Sequence, residues 1–195
     1  MLRTALLLIS LACLPAVAAT DANEKLTDAH SKTQIKEQYK GAPALIPALE
    51  KFRPFIGKTY QAEFEGPNGQ PVTDVSHWER ALNGTAIRIM HSINEGEYGG
   101  ETLIFYDKNA ASLRFYYFTT AGFYTQGAAH FEGGAFISTE TIKGDAQGIT
   151  HVVSNATLNS DGTLTLQATF FKGDTATSGH TAHYRPVENL MPVFR

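Results

Sequence analysis

The chain has 195 residues, with 16 basic and 19 acidic side chains and a formal net charge of −3. A mildly acidic chain without a run of basic residues is poorly suited to nucleic acid, so we expect no nucleic-acid partner. Cys13 is the only cysteine and lies in the first apolar stretch. If that stretch is removed, thiol catalysis and thiolate metal sites are excluded.

Residues 1–19 have the pattern of a secretory signal peptide. Arg3 precedes an apolar run of about ten residues, and the small residues of a cleavage signal follow from Pro15 to Ala19. The run is too short for a permanent anchor, so we expect no integral membrane segment after cleavage. We therefore expect a soluble protein in a bacterial periplasm or secreted from the cell. A retained N-terminal anchor and a lipid on Cys13 are the alternatives.

Residues 20–42 are polar and charged, and we interpret them as a flexible or weakly helical leader. The remaining residues, 43–195, are predicted to form a single domain. It begins with a short helix over residues 43–56, because apolar side chains recur there at spacings of three and four. These are Leu45, Ile46, Leu49, Phe52, Phe55 and Ile56. We expect this stripe to pack on a barrel mouth or a sheet edge.

After Gly57 the hydrophobic period changes to two, which is typical of strands. The candidate strands are 58–65, 73–82, 85–93, 100–106, 113–120, 123–131, 135–143, 148–158, 163–171 and 179–185. Turn formers such as Asn83-Gly84 and Gly133-Gly134 separate them. Consecutive strands with such short links cannot form a parallel sheet. The predicted fold class is all-β, an antiparallel up-and-down barrel of about ten strands, because closure removes exposed edges.

The Asn83-Gly84 turn also predicts which residues face each other, because a two-residue turn fixes the register of its hairpin. On one side the pairs are Ser76 with His91, Trp78 with Ile89, Arg80 with Ile87, and Leu82 with Thr85. On the other side they are His77 with Met90, Glu79 with Arg88, and Ala81 with Ala86. The first side carries the larger apolar residues, so we expect it to form the interior.

This register places Arg80 and His91 inside the barrel among apolar neighbours. A buried guanidinium needs a carboxylate, ordered water or an anionic ligand group as its partner. Arg80 could instead be a structural residue near an open rim. His91 could simply be a hydrogen-bonded core histidine.

The position of Glu101 depends on the next turn. If Glu95-Gly96 is also a two-residue turn, Glu101 points outward beside Met90. A longer loop that shifts the register by one residue would bring Glu101 inward, toward Arg80 and His91. The residues of this strand are apolar on both faces, so the sequence leaves both registers open.

The aromatic segment from Leu113 to Phe131 has two apolar faces. We expect Tyr117 and Tyr124 to share one face with Phe115, and Phe118 to lie on the other. One of these faces could line a cavity, where tyrosine hydroxyls would bond to a ligand or to water.

The chain has no P-loop, dinucleotide fingerprint, Gly-x-Ser-x-Gly elbow or His-Glu-x-x-His motif. His180 and His183 are three apart on the last strand, which places them on opposite faces. They cannot bind one metal ion together from inside the barrel. One inward histidine could be an axial haem ligand, as in barrels resembling nitrobindin. We nevertheless predict no metal and no cofactor.

Four motifs carry a family resemblance: Trp78-Glu-Arg-Ala-Leu-Asn-Gly84, His91-Ser92, Gly96-Glu-Tyr-Gly-Gly-Glu-Thr102 and Tyr117-Phe-Thr-Thr-Ala-Gly-Phe-Tyr124. They resemble an uncharacterised group of bacterial secreted proteins whose barrels are similar to lipocalins and fatty-acid-binding proteins. The resemblance covers residues 49–185 and implies a calycin-like barrel, without a catalytic assignment. The Gly-x-Trp signature of lipocalins is absent, because Gly57-Lys-Thr-Tyr60 has no tryptophan.

The sequence favours a barrel that binds a small amphipathic or hydrophobic ligand in its interior. The candidate ligand-binding residues are Trp78, Arg80, Ile89, His91, Glu101, Tyr117 and Tyr124. One alternative is an enzyme that uses His91 as an acid or base, together with Glu101. The other is a structural or interaction barrel with a solid core. The residue pattern predicts no particular oligomeric state.

Overall fold

The computed structural model describes residues 44–66, 69–145 and 147–195. The predicted signal peptide and leader lie outside these residues. The described chain begins with a 3₁₀ helix, Pro47–Phe55. The strands are β1 (Lys58–Glu65), β2 (Pro71–Ala81), β3 (Ala86–Ile93), β4 (Tyr98–Asp107), β5 (Ser112–Thr119), β6 (Tyr124–Glu132), β7 (Ala135–Thr141), β8 (His151–Leu158), β9 (Leu164–Lys172) and β10 (Thr175–Val187).

The ten strands form a closed antiparallel barrel in which each strand pairs with its neighbours along the chain. β1 closes the barrel on β10, with Thr59 opposite Val187. Burial alternates along β6, as the hydrophobic period of two predicts: Thr125, Gly127 and Ala129 are buried, whereas Tyr124 and Gln126 are exposed. The prediction of an all-β, up-and-down, calycin-like barrel is confirmed.

Two strand boundaries differ clearly from the prediction. β8 starts at His151 and not at residue 148, because Asp145 accepts hydrogen bonds from the backbone amides of Gln147 and Ile149, both at 2.9 Å. This side-chain turn holds the preceding segment in a loop. β10 starts earlier than predicted, at Thr175, and its register on β9 shifts between Ala176 and Gly179.

The N-terminal helix closes one mouth of the barrel, as the apolar stripe predicts. Its buried residues are Leu49, Phe52 and Phe55. The Phe55 ring stacks on Trp78 with centroids 4.8 Å apart, and Phe52 meets Phe136 edge to face at 4.9 Å. The helix is shorter than predicted, with Pro47 in its first turn and Pro54 near its end. No helix in the described ranges is long and apolar enough to cross a membrane.

The C-terminal tail lies back on the outside of the barrel. The Val193 amide donates to Ser92 Oγ at 3.0 Å, and the Thr59 hydroxyl contacts Met191 Sδ at 3.8 Å. Gly96 has a positive φ of 94°, and a Cβ there would lie 2.7 Å from the Val193 carbonyl oxygen. The tail can approach this closely only because residue 96 has no side chain.

The register of β2 on β3 agrees with the prediction, including Ser76 opposite His91 and Trp78 opposite Ile89. The expected inward position of Leu82 is wrong, since this side chain is 65% exposed. Leu82 and Asn83 both have positive φ, at 46° and 55°. The turn therefore leaves the strand geometry at Leu82 and carries its side chain into solvent.

Candidate functional site

The barrel encloses a cavity of about 90 Å³. Its apolar wall includes Trp78, Ile89, Ile104, Phe115 and Phe136, and its polar wall includes Ser76, His91, Tyr117, Ser138 and Ser154. The helix end of the interior is aromatic, whereas the buried polar residues lie further along the same strands. A cavity of this size accepts several water molecules or a small organic group.

Four candidate residues from the sequence analysis lie together in this wall: Trp78, Ile89, His91 and Tyr117. Their contact follows from the β2–β3 register and from Thr102 pairing with Tyr117 between β4 and β5. Arg80 is not among the residues that line the cavity. It lies one inward position beyond Trp78 and is half-buried opposite Ile87. The rim interpretation of Arg80 fits this position.

Glu101 lies on the outside of the barrel. It pairs with Met90, so the register expected from a two-residue turn at Glu95-Gly96 is the one formed. Arg88 Nε donates to Glu101 at 3.1 Å, and Arg88 Nη1 donates to Glu79 at 3.0 Å. The bond to Glu101 is the main cause of the raised Arg88 pKa. Glu101 therefore cannot assist His91 inside the barrel.

Tyr124 also lies outside, and its predicted face is wrong. It pairs with Phe118, so the link between β5 and β6, residues 120–123, is longer than the two residues expected between the candidate strands. Tyr124 is 63% exposed and packs beside Tyr116 and Phe118, with ring centroids 6.5 and 6.0 Å away. One face of the β5–β6 hairpin, with Phe115 and Tyr117, therefore points into the barrel, and the other face points outward.

A buried hydrogen-bond network surrounds His91. His91 Nδ1 lies 3.3 Å from Asp74 Oδ1, and His91 Nε2 lies 2.7 Å from the Tyr117 hydroxyl. The Tyr184 hydroxyl donates to Asp74 Oδ2 at 2.8 Å, and the Tyr117 hydroxyl bonds to that of Tyr98 at 3.1 Å. An ionised carboxylate only accepts, so the Asp74 contact places a hydrogen on His91 Nδ1.

The tyrosines of this network stay protonated. Burial is the main cause that raises the pKa of Tyr117, and the nearby Tyr98, Glu140 and Asp74 raise it further. The Tyr184 pKa is also raised well above its ordinary value, first by burial and then by Asp74. These phenols therefore act as neutral hydrogen-bond donors and acceptors at physiological pH.

Several buried polar atoms of the interior have no hydrogen-bond partner within the described ranges. Trp78 Nε1 and Ser154 Oγ belong to cavity-lining residues, and the Tyr60 hydroxyl lies on the inner face of β1. Burial raises the pKa of Tyr60 to about 12. Buried polar groups in proteins are normally hydrogen-bonded, so these atoms indicate room for a ligand or ordered water.

His180 and His183 lie on opposite faces of β10, as predicted. His183 is exposed, whereas His180 is half-buried and its ring stacks with Phe64 and Phe170 at centroid distances of 5.8 and 6.3 Å. Burial lowers the pKa of His180, so its imidazole is neutral at pH 7. No group of three potential metal-ligating side chains occurs among residues 44–66, 69–145 and 147–195.

Glu140 is the second buried carboxyl group of the interior and has 0% exposure. Neither of its carboxyl oxygens has a hydrogen-bond partner in the described chain. Burial raises the Glu140 pKa well above its ordinary value, and the nearby Thr125 hydroxyl offsets this only in part. The two groups do not reach hydrogen-bond geometry.

Replacement of Glu140 by glutamine should change how stability depends on pH. In the wild type, Glu140 loses its carboxyl proton near pH 4.5 in the unfolded state. It keeps this proton to higher pH in the folded state, because burial raises its pKa there. The free energy of unfolding then falls as pH rises, by up to about 1.4 kcal/mol per pH unit. Glu140→Gln removes this slope, so it should be more stable than the wild type at pH 8.

Urea denaturation of both proteins at pH 5 and pH 8 measures this effect. Glu132→Gln is the matched control, because Glu132 is an exposed residue of β6. It should follow the wild type at both pH values. If the difference in the free energy of unfolding between the wild type and Glu140→Gln is the same at pH 5 and pH 8, the raised Glu140 pKa is contradicted.

Asp74, Glu140 and Tyr184 were not among the residues predicted for the site. Asp74 could have been found, because extending the β2–β3 register by one inward position pairs it with Ile93 on the interior side. Glu140 gave no such signal, since β7 carries Phe136 on one face and Ile137 on the other. Nothing in the sequence chose between these faces.

Phe52, Phe55, Phe131 and Phe136 form an aromatic plug under the helix. Fold and site together define this protein as a closed calycin-like barrel with a small interior cavity, this aromatic plug and a buried carboxylate–histidine–tyrosine network. A search against protein-family models finds no match for the chain. A search of curated proteins also finds no match.

Proposed function

We propose that the protein binds a small amphipathic molecule inside its barrel. Trp78 and Ile89 would contact the apolar part of the ligand, and His91 and Tyr117 would bond to its polar part. The observation that carries the proposal is the interior cavity, whose lining residues Trp78 and Ser154 have buried polar atoms without a partner. The polar part of a ligand in the cavity would bond to Ser154 Oγ, and its apolar part would fill the remaining space beside Trp78.

We further propose that the protein is exported and belongs to the group of bacterial secreted barrels that its motifs resemble. The support for export is the signal-peptide pattern of residues 1–19. The support for the group is the quoted motifs, together with the calycin-like barrel that the resemblance implies. An export location would let the barrel bind a molecule from the periplasm or the medium.

Filling the cavity should abolish ligand binding. Ala156 is 4% exposed and lines the cavity, so Ala156→Leu places three further carbon atoms in that space. Native mass spectrometry of the wild type, purified from its own host, should show a bound small molecule that Ala156→Leu lacks. Ala176→Leu is the matched control, because Ala176 is exposed on β10. An adduct retained equally by Ala156→Leu, or absent from the wild type, would contradict the proposal.

A second candidate function is acid–base catalysis on the bound molecule. The specific observation is that His91 contacts the buried Asp74 carboxylate through Nδ1 and lines the cavity with Tyr117. A carboxylate that orients a histidine is the usual arrangement of a general base. Asp74, and not Glu101, would be the carboxylate that assists His91.

His91→Gln separates the two candidates. If the barrel only binds, the molecule released from His91→Gln should have the same mass as that from the wild type. If His91 is catalytic, the variant should retain an unconverted molecule of different mass. Disappearance of that molecule on incubation with the wild type would establish turnover.

A further inference from the structure

Glu140 lies just behind the wall of the cavity. On the inner face of β7 it follows Phe136 and Ser138, both of which line the cavity. Its cross-strand neighbour on β8 is Val152, which is fully buried, and on β6 it is Gly127. Because Gly127 has no side chain, the Phe115 ring packs directly over the backbone there. Glu140 is thus the next inward-facing residue of β7 after the cavity-lining Ser138.

Asp74 and Glu140, the two buried carboxyl groups among the described residues, differ in their partners. Asp74 bonds to His91 and to Tyr184. Glu140 has no hydrogen-bond partner for either oxygen in the described chain. A buried carboxyl group that is neither paired nor hydrogen-bonded is unfavourable, and its retention inside a folded barrel calls for a partner from outside the chain.

The chemistry around Glu140 favours a cation as that partner. The buried side chains of the described ranges include Asp74 and Glu140 but no lysine or arginine. The Asp74 carboxylate would repel an anionic ligand. A neutral amine that entered the cavity would take up the proton that Glu140 holds, and the resulting ammonium group would pair with the Glu140 carboxylate. The aromatic rings of Phe115, Tyr117 and Trp78 in the cavity wall would favour its positive charge.

We propose that Glu140 anchors the ligand and that the ligand is a small organic amine with an apolar body. This inference rests on the proposed interior binding function and specifies its ligand class. The apolar body would occupy the space between Trp78 and Ile104, and the ammonium group would lie toward Ser138 and Glu140. The amine would supply the hydrogen-bond donors that the Glu140 carboxylate lacks.

Two probes of matched size test the charge preference: n-butylamine and 1-butanol, titrated into the purified full-length protein by calorimetry. The wild type should bind butylamine at least tenfold more tightly than butanol. Glu140→Gln should weaken butylamine binding at least tenfold and leave butanol binding unchanged. The comparison of the two probes on the wild type stands even if the variant folds poorly. Glu132→Gln, which changes an exposed acid, should behave as the wild type.

The outcomes distinguish this inference from the binding function. Equal binding of both probes to the wild type, abolished by Ala156→Leu, would overturn the amine proposal and leave the interior binding function supported. A butylamine affinity unchanged in Glu140→Gln would overturn the role of Glu140. If the wild type binds neither probe, the inference is also overturned, and the adduct experiment with Ala156→Leu decides the binding function by itself.

Discussion

Phe52→Ala should destabilise the protein by about 3–5 kcal/mol, the range found when a buried phenylalanine is truncated. Phe52 is 0% exposed at the centre of the plug. Its ring meets Phe131 and Phe136 edge to face, each with centroids 4.9 Å away, and lies 6.3 Å from Trp78. Alanine would leave a large void that the closed barrel cannot collapse to fill, because its strands are held by hydrogen bonds on both sides.

Urea denaturation measures this loss, and fluorescence is a suitable signal because Trp78 is the only tryptophan and lies beside the plug. Phe118→Ala is the matched control. Phe118 is 52% exposed on the outer face of β5, so its truncation should cost about 1 kcal/mol or less. Equal effects of the two substitutions would show that the helix does not seal the barrel.

The fold could be predicted because it depends on local patterns. Alternating apolar residues and short turns define strands that can pair only with their sequence neighbours, and the absence of crossover helices leaves a meander. The position of the helix could be predicted for a similar reason, since its apolar stripe must pack on a large apolar surface and the barrel interior is the one that the strands provide. Its 3₁₀ geometry was not predicted, although Pro47 and Pro54 both disfavour a regular α-helix.

The site could be predicted only where a turn fixed the register. Asn83-Gly84 correctly placed Trp78, Ile89 and His91 on one inner face. The face of Tyr124 was predicted wrongly, because the candidate strands 113–120 and 123–131 imply a two-residue link, whereas the last pair formed is Phe118 with Tyr124. A one-residue difference in link length moves a strand's side chains to the opposite face.

The polar network could not be predicted from local patterns, because it joins strands that are distant in the chain. Asp74 and Tyr184 are 110 residues apart, and they meet only because β10 closes the barrel on β1 beside β2. Glu140 reaches the same interior from β7, on the opposite side of the barrel. Such contacts are set by closure and shear, which no single hairpin specifies.

Asp74→Ala should destabilise the protein by about 3–5 kcal/mol, because it breaks a buried charged network by removing one partner. The Asp74 side chain has 0% exposure and accepts from the Tyr184 hydroxyl and from His91 Nδ1. Alanine would leave both donors buried without an acceptor. Glu63→Ala is the control, since Glu63 is an exposed partner of Arg185 and its loss should cost less than about 1 kcal/mol.

Asp74→Asn separates the loss of charge from the loss of hydrogen bonds. The asparagine oxygen can still accept from Tyr184, but its amide group would face His91 Nδ1 as a donor. The imidazole would then change tautomer, with Nδ1 accepting and the hydrogen on Nε2, pointing at Tyr117. We expect a smaller loss of stability than for alanine, with a tautomer change visible in nitrogen-15 spectra of His91. An Asp74→Ala protein as stable as the Glu63 control, with unchanged His91 spectra, would show that Asp74 does not orient the histidine.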